Sequence, residues 1–168
     1  MQKKVLPLSL AAVTIILLLA AQTVFAGPSI DEVKNNVVNL WKPIKESQPH
    51  VTAVEFKKIL DSDKDLILID VRTADEYKAA HIPGAIHIPR GVMEWVTPRT
   101  IENTDIPIYT YCRTGARSAF AAQRLTDMGY TNVTNIYDAF KGWLEAGYSV
   151  YNRHGEFVMS KGGFEKQE

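Results

Sequence analysis

Apolar residues recur along this chain in two rhythms, one helical and one of short unbroken runs. Ile30, Val33, Val37 and Trp41 fall three to four positions apart. That is the period of one helix face, and it predicts a helix from Ser29 to about Trp41. Ala119, Ala122, Leu125 and Met128 keep the same spacing and predict a second helix over 118–128, with Gly129 as its C-cap. Leu66-Ile67-Leu68-Ile69-Asp70 is an apolar run of strand length and reads as a buried strand. So do Ala85 to Ile88 after the Pro83-Gly84 turn, Ile108 to Tyr111, and Asn132 to Ile136. Helix starts are marked by the capping box, in which a hydroxyl and a glutamate each take one free N–H. Ser29-Ile-Asp-Glu32, Thr52-Ala-Val-Glu55 and Thr73-Ala-Asp-Glu76 carry it. Thr97-Pro98 predicts a further start, with proline at the first helical position. Strands alternating with helices imply an α/β fold with a mostly parallel central sheet and helices on both faces.

The first 26 residues follow neither rhythm. Lys3 and Lys4 precede an almost wholly apolar stretch, Leu10 to Ala21, and Val24-Phe25-Ala26 offers small residues at a cleavage site. This is the pattern of a secretory signal peptide. It makes export to a periplasm-like compartment the expectation for a protein with a bacterial-type leader. An uncleaved membrane anchor is the alternative, since the uncharged stretch from Val5 to Ala26 is long enough to span a bilayer. Residues 27–49 read as a helical extension and a proline-containing linker, 50–152 as the compact domain, and 153–168, with Gly155, Gly162 and Gly163, as a loose tail. A formal net charge of zero argues against nucleic acid as a partner. His50, His87 and His154 show no metal-ligand spacing, so neither a metal nor another cofactor is expected.

The chain holds a single cysteine, Cys112. Exported proteins tend to carry paired cysteines, so an unpaired thiol there calls for a chemical use. The bland reading is a buried inert thiol, and the flanking Arg113 and Arg117 argue against it. Cys112 ends the strand at Tyr111, and a helix begins near Ser118. In α/β sheets ligands gather at the carboxyl ends of strands. The backbone N–H groups of Arg113, Thr114, Gly115, Ala116, Arg117 and Ser118 can curl inward as an anion nest, reinforced by the helix dipole. Gly115 permits the positive φ that such a curl needs. The same surroundings favour a thiolate.

Phosphoryl transfer and sulfane-sulfur transfer both use such a cradle. Four residues separate Cys112 from Arg117. Cysteine phosphatases hold one residue more, and they usually place a histidine before the cysteine, where Tyr111 stands here. The tighter ring suits one transferred sulfur atom. Cys112-Arg113-Thr114-Gly115-Ala116-Arg117-Ser118 resembles the active-site loop of the single-domain rhodanese family of sulfurtransferases. Asp70-Val71-Arg72, Glu76-Tyr77 and His81-Ile82-Pro83-Gly84-Ala85 resemble a second signature of that family, and Gly142-Trp143-Leu144 with Gly147-Tyr148 a third. The sequence departs from the family pattern at Ala80, where glycine is frequent, and at Asp138-Ala139, in place of a glycine pair.

The resemblance implies a persulfide carried on Cys112, a small anionic sulfur donor such as thiosulfate or polysulfide, and a thiol or cyanide acceptor. Arg113 and Arg117 are then expected to neutralise donor and persulfide. The alternative is a carrier that delivers persulfide sulfur to an exported or membrane protein partner with little thiosulfate turnover. A phosphatase or arsenate reductase relative is the third reading, disfavoured by the loop length. Asp70 and Arg72 are candidates for a supporting role at the edge of the site, with a structural ion pair as the plainer expectation. Glu76 reads as a cap, His81 as structural, and Trp95 as a candidate for the mouth of a pocket.

Overall fold

The computed structural model describes residues 27–62 and 65–159. The signal-peptide reading lies outside the described residues. Among these, no helix is long and apolar enough to cross a membrane.

The chain divides into two units between Val37 and Val38. Within the first, Ser29 Oγ accepts the N–H of Glu32 at 3.2 Å and Lys34 pairs with Asp31 at 2.9 Å. This is the start of α1 (Ile30–Ser47). The helix does not give way to a linker after Trp41, as the sequence suggests, but runs through Pro43 to Ser47. Proline deletes one helical hydrogen bond. The last turn is held instead by tertiary contacts: Lys45 Nζ donates to the Thr114 carbonyl at 2.9 Å. Just beyond, Gln48 Nε2 donates to Gln123 Oε1 at 2.6 Å.

The second unit is built on a five-stranded sheet in the order β1 (His50–Val51), β5 (Val133–Ile136), β4 (Ile108–Tyr111), β2 (Ile67–Asp70), β3 (Ile86–His87). Every neighbouring pair is parallel. Side chains alternate across it. Leu68, Tyr111 and Ile136 point into one cluster with Phe56, Phe140 and Trp143. Ile69, Ile108 and Val133 point into another with Met93, Ala122 and Leu125. The first face is covered by α2 (Ala53–Ser62) and α6 (Ala139–Glu145), the second by α4 (Met93–Thr100) and α5 (Ala116–Asp127). Burial of this kind on both faces explains why the strands are continuous apolar runs. The expected α/β architecture is the one observed.

Capping boxes do what the sequence asks of them. Thr52 N donates to Glu55 at 2.7 Å and Glu55 N to Thr52 Oγ1 at 3.2 Å, opening α2. Thr73 and Glu76 do the same for α3 (Ala74–Ala79). Elsewhere the elements differ from expectation. α4 begins at Met93, after a 3-10 turn at Arg90–Val92, not at Thr97. Met93, 1% exposed, fastens the first turn to the core, and Pro98 sits two residues before the end. Residues 153–159 are not a loose tail throughout: β7 (Gly155–Phe157) pairs antiparallel with β6 (Val150–Asn152). β1, two residues long, pairs with β5 through His50 and Asn135.

Candidate active site

The loop between β4 and α5 carries Cys112, which continues the alternation of Ile108 and Thr110 and so faces the α5 side, 1% exposed. Gly115 follows in the left-handed region at φ 91° as the N-cap of α5. Its N–H donates to Cys112 Sγ at 3.2 Å, and Ser118 Oγ lies 3.5 Å from the same sulfur. The helix dipole reinforces both contacts with positive potential.

The carbonyls of the loop explain how its N–H groups are aimed. Cys112 O accepts from Phe140 N and Arg113 O from Lys141 N, both at 3.0 Å. Thr114 O accepts from Lys45 Nζ at 2.9 Å. Gly115 O accepts from Ala119 N at 3.0 Å, Ser118 Oγ at 3.2 Å and Asn135 Nδ2 at 3.4 Å. In a trans peptide the carbonyl and the next N–H point opposite ways. Carbonyls held outward at 112, 113 and 114 therefore turn the N–H groups of Arg113, Thr114 and Gly115 to the other side of the loop. A Cβ on Gly115 would strike the Tyr137 carbonyl and come within 2.8 Å of Lys45 Cε. Glycine is thus required twice, by its φ and by the close approach.

The two arginines do not both face the sulfur. Arg113 is exposed. Arg117 makes a two-pronged pair with Glu76, Nη1 to Oε2 and Nη2 to Oε1, each at 2.8 Å. That bond, with the charge of Cys112 and a side-chain hydrogen bond to it as smaller contributions, raises the Arg117 pKa further. The Arg117 guanidinium and the capping bonds from Thr73 hold the Glu76 carboxyl down at about 2. Glu76 is therefore both a cap and the partner of Arg117. Thr114 is exposed and Ala116 half-buried.

Asp70 and Arg72 close the neighbouring turn. Arg72 Nη2 donates to Asp70 Oδ2 and to the Ala80 carbonyl, both at 2.6 Å, and Nε bridges both carboxylate oxygens at 3.0 Å. The guanidinium lies 4.0 Å from the Phe140 ring. Carboxylate and arginine are 0% and 4% exposed, so the pair is a buried structural clamp. Beside it, burial and then the charge of Asp70 push the Tyr111 phenol up. His81 Nδ1 donates to Tyr77 O at 2.9 Å and its ring stacks on Tyr77 at 3.8 Å, a structural role. A cleft of about 670 Å³ opens next to the loop, lined by Arg90, Trp95, Arg117, Phe120 and Arg124. Trp95 does stand at its edge, 63% exposed. Cys112 is not among its lining residues; Arg117 joins the two.

The two departures from the family pattern differ in cost. Ala80 has φ −169°, ordinary extended backbone that needs no glycine. Ala139 has φ 54°, the left-handed region, where a side chain is strained. Residues the sequence did not single out also build the site. Lys45, Asn135 and the α6 amides of Phe140 and Lys141 all hold the loop from behind. Only Asp138, which caps α2 through Ala53 N at 2.7 Å, stood within a motif considered. Among the described residues no group of His, Cys, Asp and Glu could hold a metal ion.

Fold and loop define a class: an α/β domain with one cysteine in a turn of inward-facing N–H groups at the carboxyl end of a parallel strand. The model of the rhodanese-like domain matches residues 52–146, and the chain belongs to that family. It is 38% identical over 97 residues to the "Putative sulfur carrier protein YrkF" of Bacillus subtilis strain 168, covering 58% of this chain and 51% of that protein. It is 28% identical over 94 residues to the thiosulfate sulfurtransferase GlpE of Coxiella burnetii, covering 56% of this chain and 82% of GlpE. The polysulfide-sulfur transferase homodimer of Wolinella succinogenes superposes with a TM-score of 0.64 at 25% identity, over 76% of this chain and 95% of that one. The chain spans about half the length of YrkF.

Proposed function

We propose that this protein is an exported sulfurtransferase that moves a sulfane sulfur through a persulfide on Cys112. The observation that carries this is the cradle itself: Gly115 N–H donates to Cys112 Sγ and the Ser118 hydroxyl lies 3.5 Å from it, in a loop whose carbonyls are tied outward. The Cys112 thiolate attacks the outer sulfur of thiosulfate or a polysulfide. A new S–S bond forms, the donor S–S bond breaks, and sulfite or a shortened polysulfide leaves with the electron pair. The N–H groups then hold the terminal anionic sulfur. A thiolate or cyanide acceptor attacks that sulfur and returns Cys112 as thiolate, a ping-pong cycle without a separate base. The pattern of residues 1–26 supports export. Mass spectrometry after thiosulfate or polysulfide treatment is expected to find one added sulfur on Cys112, absent in Cys112→Ser. No adduct from either donor and no sulfite released would sink the reading.

One observation favours a carrier with little thiosulfate turnover as the second reading. Arg113 is exposed and Arg117 divides its charge between Glu76 and Cys112, so the loop offers less than two full cationic charges to a dianionic donor. The similarity to YrkF points the same way. Loading from polysulfide with negligible thiosulfate:cyanide turnover would decide for the carrier; comparable turnover with both donors would decide for the enzyme.

A further inference from the structure

Lys45 lies seven positions ahead of the segment that matches the family model, yet its ammonium ends at the cysteine loop. It is 8% exposed, with a hydrogen bond of 2.9 Å to the Thr114 carbonyl and the Tyr137 ring centroid 3.8 Å away. It reaches there because Gly115 has no side chain: a Cβ at that position would lie 2.8 Å from Lys45 Cε and 3.0 Å from Nζ. A lysine is rarely buried without a partner, since desolvation of the ammonium is costly. Here one carbonyl, an aromatic face and two acidic groups share it.

We propose that Lys45 is a positioning residue for Cys112. It holds the Thr114 carbonyl outward, so that the Gly115 N–H faces the sulfur, and it places a buried cation behind the loop. The end of α1 is then part of the sulfur site. Residues 27–48 could not be removed with loading spared, as a purely partner-binding extension would allow. The proposal rests on the persulfide reading for its purpose, though its geometry does not depend on that reading.

The electrostatics agree with the geometry. Burial draws the Lys45 pKa down, while the charges of Cys112 and Asp138 hold it up. The other charged or titratable groups around the sulfur are Arg117 from α5, paired with Glu76, and Arg113, exposed in the loop. The Asp70–Arg72 pair at the end of β2 is closed on itself, next to Tyr111, and Tyr137 faces Lys45 itself. Among these, Lys45 is the cation that bonds to the loop backbone without a carboxylate of its own in hydrogen-bond contact.

The test uses the full chain and the rate of iodoacetamide alkylation of Cys112 against pH, with thermal melting and polysulfide loading alongside. Lys45→Met removes both cation and donor; Lys45→Gln keeps an N–H donor; Lys45→Arg keeps the charge. In Lys45→Met the alkylation midpoint is expected to move up and the rate at pH 7 to fall about three- to ten-fold, with Lys45→Arg recovering part of it. A shift in both Met and Gln variants assigns the effect to charge; a shift in Met alone assigns it to the bond to Thr114. A melting temperature that falls while every alkylation profile matches the unsubstituted protein would overturn the proposal. If Lys45→Met does not fold, Lys45→Gln and Lys45→Arg decide by the same readout. Should the unsubstituted protein take no sulfur from either donor, the persulfide reading falls, and the alkylation profiles still judge Lys45.

Discussion

Two turns leave the carboxyl ends of adjacent strands, β2 and β4, and they are held in opposite ways. The turn at Asp70–Arg72 is fastened from inside by side chains, with each donor of Arg72 Nε and Nη2 spent on Asp70 or Ala80. The loop at Cys112–Ser118 is fastened from outside by its carbonyls, which take bonds from α6, α1 and β5. The first turn is closed on itself. The second leaves its inner N–H groups turned toward the cysteine side, with Gly115 N–H on the Cys112 sulfur. The difference separates a charge pair whose Nε and Nη2 donors are spent from a loop that leaves donors at a thiol.

Breaking the first turn is expected to have the largest effect. Asp70→Ala leaves the Arg72 guanidinium buried, stacked on Phe140 and without its carboxylate. Loss of one partner of a buried pair costs about 3–5 kcal/mol, to be read by urea unfolding. A loss under about 1 kcal/mol would show that the pair is solvated. Gly115→Ala attacks the second turn. The left-handed φ and the clash with the Tyr137 carbonyl together are expected to cost about 2–4 kcal/mol, with persulfide loading lost in whatever protein remains folded.

The backbone of α6 offers a finer test of how the loop is held. Ala139 at φ 54° turns the chain so that the next two N–H groups meet the carbonyls of Cys112 and Arg113. Replacing it by glycine removes a fully buried methyl but relieves the left-handed strain. The two nearly cancel, and Ala139→Gly is expected to fall within about 1 kcal/mol of the unsubstituted protein. Ala122 is equally buried in the middle of α5, where Gly gains nothing. Ala122→Gly is expected to cost about 2 kcal/mol, from helix propensity and the lost methyl. Equal losses in the two variants would mean that the α6 turn holds no strain.

What could be read before the structure follows the range of each interaction. β2, β4 and α5 are long or apolar enough to show their period, and the capping boxes at Thr52 and Thr73 span only three residues. The cradle was legible because its sulfur, glycine and serine, Cys112, Gly115 and Ser118, fall three positions apart in one short stretch. β1 has two residues and α6 seven, around Gly142, too short for a pattern to repeat. The pairing of Arg117 with Glu76 joins residues 41 apart, and that of Lys45 with Thr114 joins residues 69 apart. Nothing local marks either, so the sequence does not show that Arg117, placed beside Cys112, is also bonded to Glu76.

The Arg117–Glu76 pair bridges the two turns and gives the smallest and most directional prediction. Glu76 has a folded pKa of about 2 against an ordinary value of 4.5. A depressed carboxyl stabilises the fold above the unfolded value and loses that contribution as pH falls through the folded one. Its share is therefore complete above about pH 4.5 and fades between there and about pH 2. Because both side chains are about one-third exposed, solvent screens the pair, and Glu76→Gln is expected to cost about 1 kcal/mol at pH 7. The discriminating readout is the slope: Glu76→Gln unfolds with a flatter pH dependence between pH 5 and pH 2. Freeing Arg117 also gives the loop a mobile cation, so thiosulfate loading of Glu76→Gln is expected to rise relative to polysulfide loading. An unchanged ratio of the two would mean that the pairing of Arg117 does not set the donor preference.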